Sequence, residues 1–217
     1  MFSELQTIIT IARQLNAKNM PKSGVILPPL VFVTDVARQK DPARIILRLP
    51  PDNLVLIRDY AHPIRAAYAA EVAKACRTRR LPFLVAGDAL LALRLNAAGV
   101  HLPQHQAHQA LKHRLACPQW LITASAHSVP QLHRLAALPV DAALYSPLFA
   151  TASHPEALPL GRHRFSAGVH QKPTVPVYAL GGVDNQTASQ VRGLPVVGIA
   201  AIGAFAPFFK GSAWYDA

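Results

Sequence analysis

Residues 175–203, VPVYALGGVDNQTASQVRGLPVVGIAAIG, contain a short strand–helix–strand unit. An apolar run lies at each end, and Asp184 or Asn185 between them can cap a helix that Gly193 ends. Apolar runs without polar alternation are typical of parallel strands that are covered on both faces. This stretch therefore predicts a parallel sheet with helices packed on it.

Apolar runs of the same kind recur along the chain. The eight predicted strands are Leu30–Thr34, Leu54–Ile57, Phe83–Ala86, Gly99–Leu102, Leu121–Ser125, Ala142–Ser146, Val175–Leu180 and Val196–Ala200. Helix start signals stand between several of them, at Asp41-Pro42, Pro63, Asp88 and Ser128. Strand–helix alternation through eight cycles indicates a (β/α)8 TIM barrel. A doubly wound open sheet is the alternative, but the chain has no GxGxxG motif after its first strand and no GxxxxGK[ST] motif.

An additional helix is predicted before the barrel. Apolar residues at helical spacing run through Ser3 to Lys18, and a Pro- and Gly-containing link follows. We therefore expect residues 1–28 to form an N-terminal helix and linker, and residues 29–217 to form a single TIM-barrel domain.

The composition excludes several classes of protein. With 51% hydrophobic and 15% charged residues, the 217-residue chain is too apolar for general disorder. It has no apolar run of about 18 residues and no secretory signal at its N-terminus, so we expect a cytoplasmic protein without a membrane partner. Cys76 and Cys117 have no metal-binding spacing, and we expect both to be reduced and structural.

The formal charge of +11 raises the question of a polyanionic partner. The one tight basic cluster, Arg77, Arg79 and Arg80, follows an Ala-rich helical stretch, where cations suit the helix C-terminus. We therefore expect no nucleic-acid partner. A solvated basic surface or a site for small phosphorylated ligands explains the charge, and a homo-oligomer is left open.

The active sites of (β/α)8 barrels lie at the carboxyl ends of the strands. In this chain that rule selects residues from every predicted loop, among them Asp35, Arg58, Asp88, Gln104 to Gln106, Ser125, His127, Ser146 to His154, Gly181, Gly182 and Gly203. The Gly181-Gly182 pair lets the backbone approach an anion closely, and backbone N–H groups near Gly203 could complete a phosphate cradle.

Five segments in order carry a resemblance to a known family. They are Leu30–Asp35, Gly99–Leu102, Ser125–Ser128, Ser146–Ser153 and Ala179–Val183. In sequence and spacing they resemble the thiamine phosphate synthase family, which also contains the thiazole tautomerases (TenI-like proteins). The resemblance runs from about Leu30 to Phe205 and implies a TIM barrel that acts in thiamine biosynthesis.

Synthases of that family join a pyrimidine pyrophosphate to a thiazole phosphate through a cationic pyrimidine intermediate, with Mg²⁺ and basic groups on the pyrophosphate. This sequence departs from the pattern there. Gly87 and Gln106 stand where the family has metal carboxylates, and Tyr60 and His154 stand where it has lysines, while Arg58 is retained. The resemblance therefore implies no metal-binding residues and no cofactor here, unless Asp88 or Asp35 takes over.

The half that would hold the thiazole phosphate is retained. Its predicted ligand-binding residues are Ser125, Thr151, Ser153, Gly181, Gly182 and Gly203, and Arg58, at the end of the second strand, is a separate predicted contact for a ligand phosphate. His127 matches the general acid/base of the tautomerases, which work without metal, and we therefore favour tautomerase-like activity on a small phosphorylated thiazole. The alternatives are a thiamine phosphate synthase with an altered metal site and a non-catalytic relative that binds a phosphorylated ligand.

Four further histidines fall close together in sequence: His101, His105, His108 and His113. No cysteine or carboxylate lies near them in the sequence, so we expect them to be structural or solvent-facing and not to bind a metal.

Overall fold

A computed structural model describes residues 2–22, 24–151, 158–170 and 175–205. Eight parallel strands form a closed barrel in chain order, and the last pairs with the first. The strands are β1 (Leu30–Val33), β2 (Asn53–Ile57), β3 (Phe83–Ala86), β4 (Gly99–Leu102), β5 (Leu121–Ala126), β6 (Ala142–Tyr145), β7 (Val177–Leu180) and β8 (Gly198–Ala201). The TIM-barrel prediction is confirmed, and closure excludes the open sheet.

Helices surround the barrel. They are α1 (Phe2–Asn19), α2 (Pro42–Ile46), α3 (Arg65–Arg79), α4 (Ala89–Arg94), α5 (Ala110–Ala116), α6 (Val129–Ala136) and α7 (Gly161–His170). Two 3₁₀ segments, Gln104–Gln109 and Ala188–Val191, complete the connections. Within the described ranges, none of these helices combines the length and the apolarity that a membrane span requires. The expected cytoplasmic location stays a prediction.

Two helix caps agree with the sequence and one does not. The Asp41 and Asp88 carboxylates accept the backbone N–H groups of Arg44 (3.0 Å) and Leu91 (2.8 Å), so both are true N-caps. Ser128 stands at the N-cap of α6, but its side chain makes no capping hydrogen bond. The prediction that the Ser128 side chain caps this helix is therefore wrong.

The connection between β7 and β8 also differs from the prediction. The helix expected from Asp184 or Asn185 to Gly193 is only the 3₁₀ segment Ala188–Val191. The Asp184 carboxylate accepts the backbone N–H groups of Gln186 and Thr187, and this local turn delays the helix start.

Helices α5 and α7 were not predicted. In α5 the buried residue is Ala110, and in α7 Phe165 and Gly168 are buried. A helix with so few buried positions shows no apolar period for a sequence analysis to detect.

The core has two apolar layers. Inside the barrel, Leu27, Val31, Leu56 and Tyr178 pack together, and the second layer fills the space between strands and helices. Leu27 belongs to the segment that precedes β1, and the Tyr178 hydroxyl donates to the carbonyl of Pro28 at 2.6 Å. This segment therefore fills the amino-terminal end of the barrel and leaves the carboxyl end for a site.

Helix α1 is attached to that same end. Its buried residues Ile8, Ile11 and Leu15 belong to the outer apolar layer. The Asn16 amide donates to the carbonyls of Leu27 and Val197, both at 2.8 Å. The helix thus packs on the barrel, and the domain boundary after residue 28 stays a prediction.

The close approach of neighbouring strands leaves no space for a side chain at Gly99, the first residue of β4. A Cβ atom on Gly99 would lie 2.0 Å from the carbonyl oxygen of Leu121, whereas one on Gly203 would meet nothing within 4 Å. We expect Gly99→Ala to lower the free energy of unfolding by about 2 kcal/mol or more, because overpacking displaces backbone. Gly203→Ala is the control and should change it by less than about 0.5 kcal/mol. Equal denaturant midpoints for the two variants would contradict this packing.

Candidate active site

The carboxyl ends of the strands surround a cavity of about 880 Å³. Eight residues were predicted to bind the ligand or act on it, and seven of them line this cavity: Arg58, Ser125, His127, Thr151, Gly181, Gly182 and Gly203. Ser153 and His154 fall outside the described residues. The structure thus brings these seven residues together, whereas the strand-end candidates Asp35, Asp88 and Gln106 do not line the cavity. The roles of the seven in binding and catalysis stay predictions.

Strand alternation explains why particular side chains reach the cavity. Ala124 and Ala126 of β5 pack in the outer apolar layer, so Ser125 between them faces the barrel interior. On β4, His101 likewise lies between two outward residues, Val100 and Leu102.

His101 is buried and fully hydrogen-bonded. Its Nδ1 lies 2.9 Å from the Thr123 hydroxyl and its Nε2 lies 2.8 Å from the Ser125 hydroxyl. Burial lowers the pKa of His101 to about 3, and the positive charge of Arg58 and the neighbouring His127 act in the same direction. His101 is therefore neutral near pH 7 and fixes the position of Ser125.

His127 is held by the next strand. Its Nδ1 lies 3.2 Å from the carbonyl oxygen and 3.1 Å from the hydroxyl of Ser146. Because a carbonyl oxygen can only accept, the contact to the Ser146 carbonyl favours, in the neutral ring, the tautomer with its proton on Nδ1 and with Nε2 as the acceptor nitrogen; in the other tautomer Nδ1 would accept from the Ser146 hydroxyl. A histidine in this tautomer can accept a proton from a ligand through Nε2.

The glycines at the end of β7 are required by packing. Gly181 and Gly182 have φ of +95° and +66°. A Cβ atom on Gly181 would lie 2.8 Å from the Cα of Pro147, and one on Gly182 would lie 2.3 Å from the carbonyl oxygen of Ala150. Both glycines therefore let the loop after β6 lie against β7, a role the sequence analysis did not foresee beside phosphate binding. The open space at Gly203 lies on the cavity wall.

A charged group lies at the carboxyl ends of β1 and β2, next to β8 in the closed barrel. Arg58 Nη2 is 2.8 Å from Asp35 Oδ2, and Arg38 Nε is 3.7 Å from the same oxygen. Both arginines line the cavity. The sequence analysis missed Arg38, although its position in the loop after the first strand was a usable signal.

Asp59 fixes the backbone beside Arg58. Its carboxylate accepts the hydroxyls of Thr34 (2.5 Å) and Tyr68 (2.7 Å) and the backbone N–H of Val36 (2.7 Å). The Thr34 oxygen in turn accepts the backbone N–H of Arg58 at 3.1 Å. Asp59 therefore connects the ends of β1 and β2 with α3.

The corner where the family places its metal carboxylates has a different chemistry here. Gly87 has φ of +67°, and a Cβ atom on it would lie 3.1 Å from Cε1 of the Tyr60 ring and 3.6 Å from Oε1 of Gln106. Asp88 caps α4 and lies 3.5 Å from Arg65. Among the residues that the structure describes, no three His, Cys, Asp or Glu side chains are grouped to hold a metal ion. The residues at this corner do not fit Mg²⁺, and the absence of a metal cofactor stays a prediction.

The buried state of His101 has a measurable pH dependence. Its pKa is near 6.5 in the unfolded chain and about 3 when folded, so the unfolded state binds more protons between these values. This contribution to stability is complete above pH 6.5 and is lost as the pH falls towards 3. In urea unfolding, we expect the stability advantage of the wild type over His101→Gln to shrink by about 2 kcal/mol between pH 7 and pH 5. A constant advantage would show that His101 is not buried in its neutral form.

Comparison with known proteins identifies a family that this chain matches. Residues 31–205 match the sequence model of a family described as thiamine monophosphate synthase. A thiamine-phosphate synthase of Chlamydia caviae is 35% identical over 128 residues, which are 58% of this chain and 59% of that protein. A putative thiamine-phosphate synthase 2 of Aquifex aeolicus is 35% identical over 115 residues, 53% of this chain and 61% of that protein. The chain thus matches about three fifths of the length of these curated relatives.

Solved structures show the same fold. Thiamine phosphate pyrophosphorylase from Pyrococcus furiosus superposes with a TM-score of 0.66 at 22% identity, covering 81% of this chain and 85% of that one. The citrate synthase SbnG reaches a TM-score of 0.55 at 14% identity, covering 88% and 90% of the two chains. At these identities the likeness concerns the barrel alone.

Proposed function

The chain belongs to the thiamine monophosphate synthase family, and from that premise we propose that it transfers a pyrimidine to a thiazole phosphate at the carboxyl end of its barrel. The match spans the barrel from β1 to Phe205, and the curated relatives described above carry the synthase name. These comparisons support the synthase alternative better than the tautomerase activity that we favoured from the sequence. The altered metal corner makes this a synthase with an unusual site for its leaving group.

The cavity supports binding of the thiazole phosphate at one end. Gly203 offers open space on the wall, and Gly181, Gly182 and Thr151 also line the cavity. Backbone N–H groups at such loops bind phosphate oxygens in many barrels of this class. The phosphorylated thiazole is therefore assigned to the β7 and β8 side of the site.

The barrel centre suits a reaction that builds positive charge on the pyrimidine. Departure of pyrophosphate takes the bonding electron pair with it, and the remaining pyrimidine cation is captured by the thiazole phosphate. A protonated histidine in the wall would repel that cation, but burial keeps His101 neutral. Ser125, positioned by His101, offers a hydroxyl oxygen to the ring at this point.

One observation favours a second activity. The contact of His127 Nδ1 with the Ser146 carbonyl favours the tautomer in which Nε2 is a proton acceptor at the cavity. A tautomerase that moves a proton on a thiazole carboxylate phosphate needs such a group. Proton exchange on that compound, followed by NMR for the wild type and His127→Ala, is its test.

The transferase is tested through Ser125. The purified chain, supplied with pyrimidine pyrophosphate and thiazole phosphate, is expected to form thiamine phosphate. Ser125→Ala should lower kcat/KM by about 10- to 100-fold, because it removes a polar contact to the developing cation. Ser166→Ala is the matched control: Ser166 lies on α7, does not line the cavity, and its substitution should retain full activity.

Two outcomes would overturn the proposal. A kcat/KM of Ser125→Ala equal to that of the wild type would remove the role assigned to the barrel centre. Absence of thiamine phosphate, together with proton exchange that is lost in His127→Ala, would establish the tautomerase instead. The expected lack of a nucleic-acid partner and the oligomeric state stay predictions.

A further inference from the structure

Two arginines from different loops share one carboxylate at the cavity wall. Arg38 lies in the turn after β1, Arg58 follows β2, and both approach the same oxygen of Asp35, at 3.7 and 2.8 Å. The side chains of Arg38 and Arg58 are 25% and 29% exposed, and the Asp35 side chain is 11% exposed. Two positive charges and one negative charge leave this group with a net charge of +1 at the cavity.

The turn that carries Arg38 is fixed in position. The backbone N–H of Asp35 donates to the Gln39 side chain at 3.0 Å, and the Gln39 amide donates to the carbonyl of Ile202 at 2.5 Å. Asp35 Oδ1 accepts the backbone N–H of Ala37 at 3.1 Å. Since Gln39 is fully buried, the loop after β1 is tied to the loop after β8. Arg38 is therefore held beside the site by buried contacts.

The arginine pair retains donors for a ligand. A guanidinium has five N–H groups, and each arginine approaches Asp35 through a single nitrogen, Nε of Arg38 and Nη2 of Arg58. A planar guanidinium fork matches two oxygens of a phosphate group, and such charge-assisted bonds are about twice as strong as neutral ones. Two forks on neighbouring loops therefore suit an anion with more than one phosphate.

Among the other described residues of the cavity wall, little negative charge is available to repel an anion. Asp184 is the acidic residue among its described lining, and its carboxylate is occupied by the backbone of its own turn. The Tyr60 ring fills the corner beside Gly87. Positive charge at the β1 and β2 side is thus supplied by Arg38 and Arg58.

We propose that Arg38, together with Arg58, binds the pyrophosphate of the pyrimidine substrate without a divalent cation. This inference rests on the proposed function and adds Arg38 as a residue that determines specificity for the leaving group. As the bond between the pyrimidine carbon and the pyrophosphate oxygen breaks, the electron pair leaves with pyrophosphate. The growing negative charge then lies on the oxygens that the two guanidinium groups hold.

Binding of inorganic pyrophosphate to the full chain, measured by calorimetry in EDTA, tests the proposal. The wild type is expected to bind, and Arg38→Ala to bind about 10- to 100-fold more weakly. Arg38→Lys should fall between them, because it keeps the charge and loses the fork. Arg44→Ala is the matched control: Arg44 also pairs with an aspartate three residues earlier, Asp41 at 2.9 Å, but does not line the cavity. Its affinity should stay within about twofold of the wild type.

Several results would overturn the inference: no binding by the folded wild type in EDTA, binding that requires Mg²⁺, or equal affinity in Arg38→Ala and Arg44→Ala. Thermal melts show whether each variant is folded. If Arg38→Ala is not folded, the pyrophosphate affinity of Arg38→Lys is compared with that of the wild type instead. Formation of thiamine phosphate is measured separately. Metal-free pyrophosphate binding through Arg38 without thiamine phosphate would defeat the proposed function alone, whereas thiamine phosphate formation unaffected by Arg38→Ala would defeat this inference alone.

Discussion

Closure of the barrel between β8 and β1 is the constraint on which the site depends. A Cβ atom on Gly198 would lie 2.2 Å from the carbonyl oxygen of Pro29, and that same oxygen accepts the N–H of Ile199 at 3.0 Å. This close pairing places the loop after β8 beside the loop after β1. The Gln39 contact to Ile202 then becomes possible, and it brings the arginines to the same cavity as the open wall at Gly203. The site thus exists because the first and last strands meet.

The barrel was predictable from the sequence, because most of its strands are continuous apolar runs, which are typical of a parallel sheet covered on both faces. The caps at Asp41 and Asp88 were also predictable, since an N-cap bond is local. Helices α5 and α7 were missed because few of their residues are buried, so their sequences show no apolar periodicity. The turn at Asp184 competed with a helix start through its own side-chain bonds.

The candidate site was predictable in its positions and not in its contacts. Strand ends identified residues that do line one cavity, such as Ser125 and Gly203. Their partners come from other elements of the chain: His101 on β4 contacts Ser125 on the neighbouring β5, and Tyr60 after β2 lies against Gly87 after β3. Such contacts depend on register and strand order, which a single sequence does not specify. The neutral state of His101 follows only from its burial.

The central claim is that this barrel performs the family's transfer with arginines in the place of a metal ion. Its most direct test is the initial rate of thiamine phosphate formation by the wild type in EDTA and in millimolar Mg²⁺. We expect turnover in EDTA at a rate within about twofold of that in Mg²⁺, because Gly87 and Gln106 offer no carboxylates to the ion. Turnover in Mg²⁺ that disappears in EDTA would contradict it.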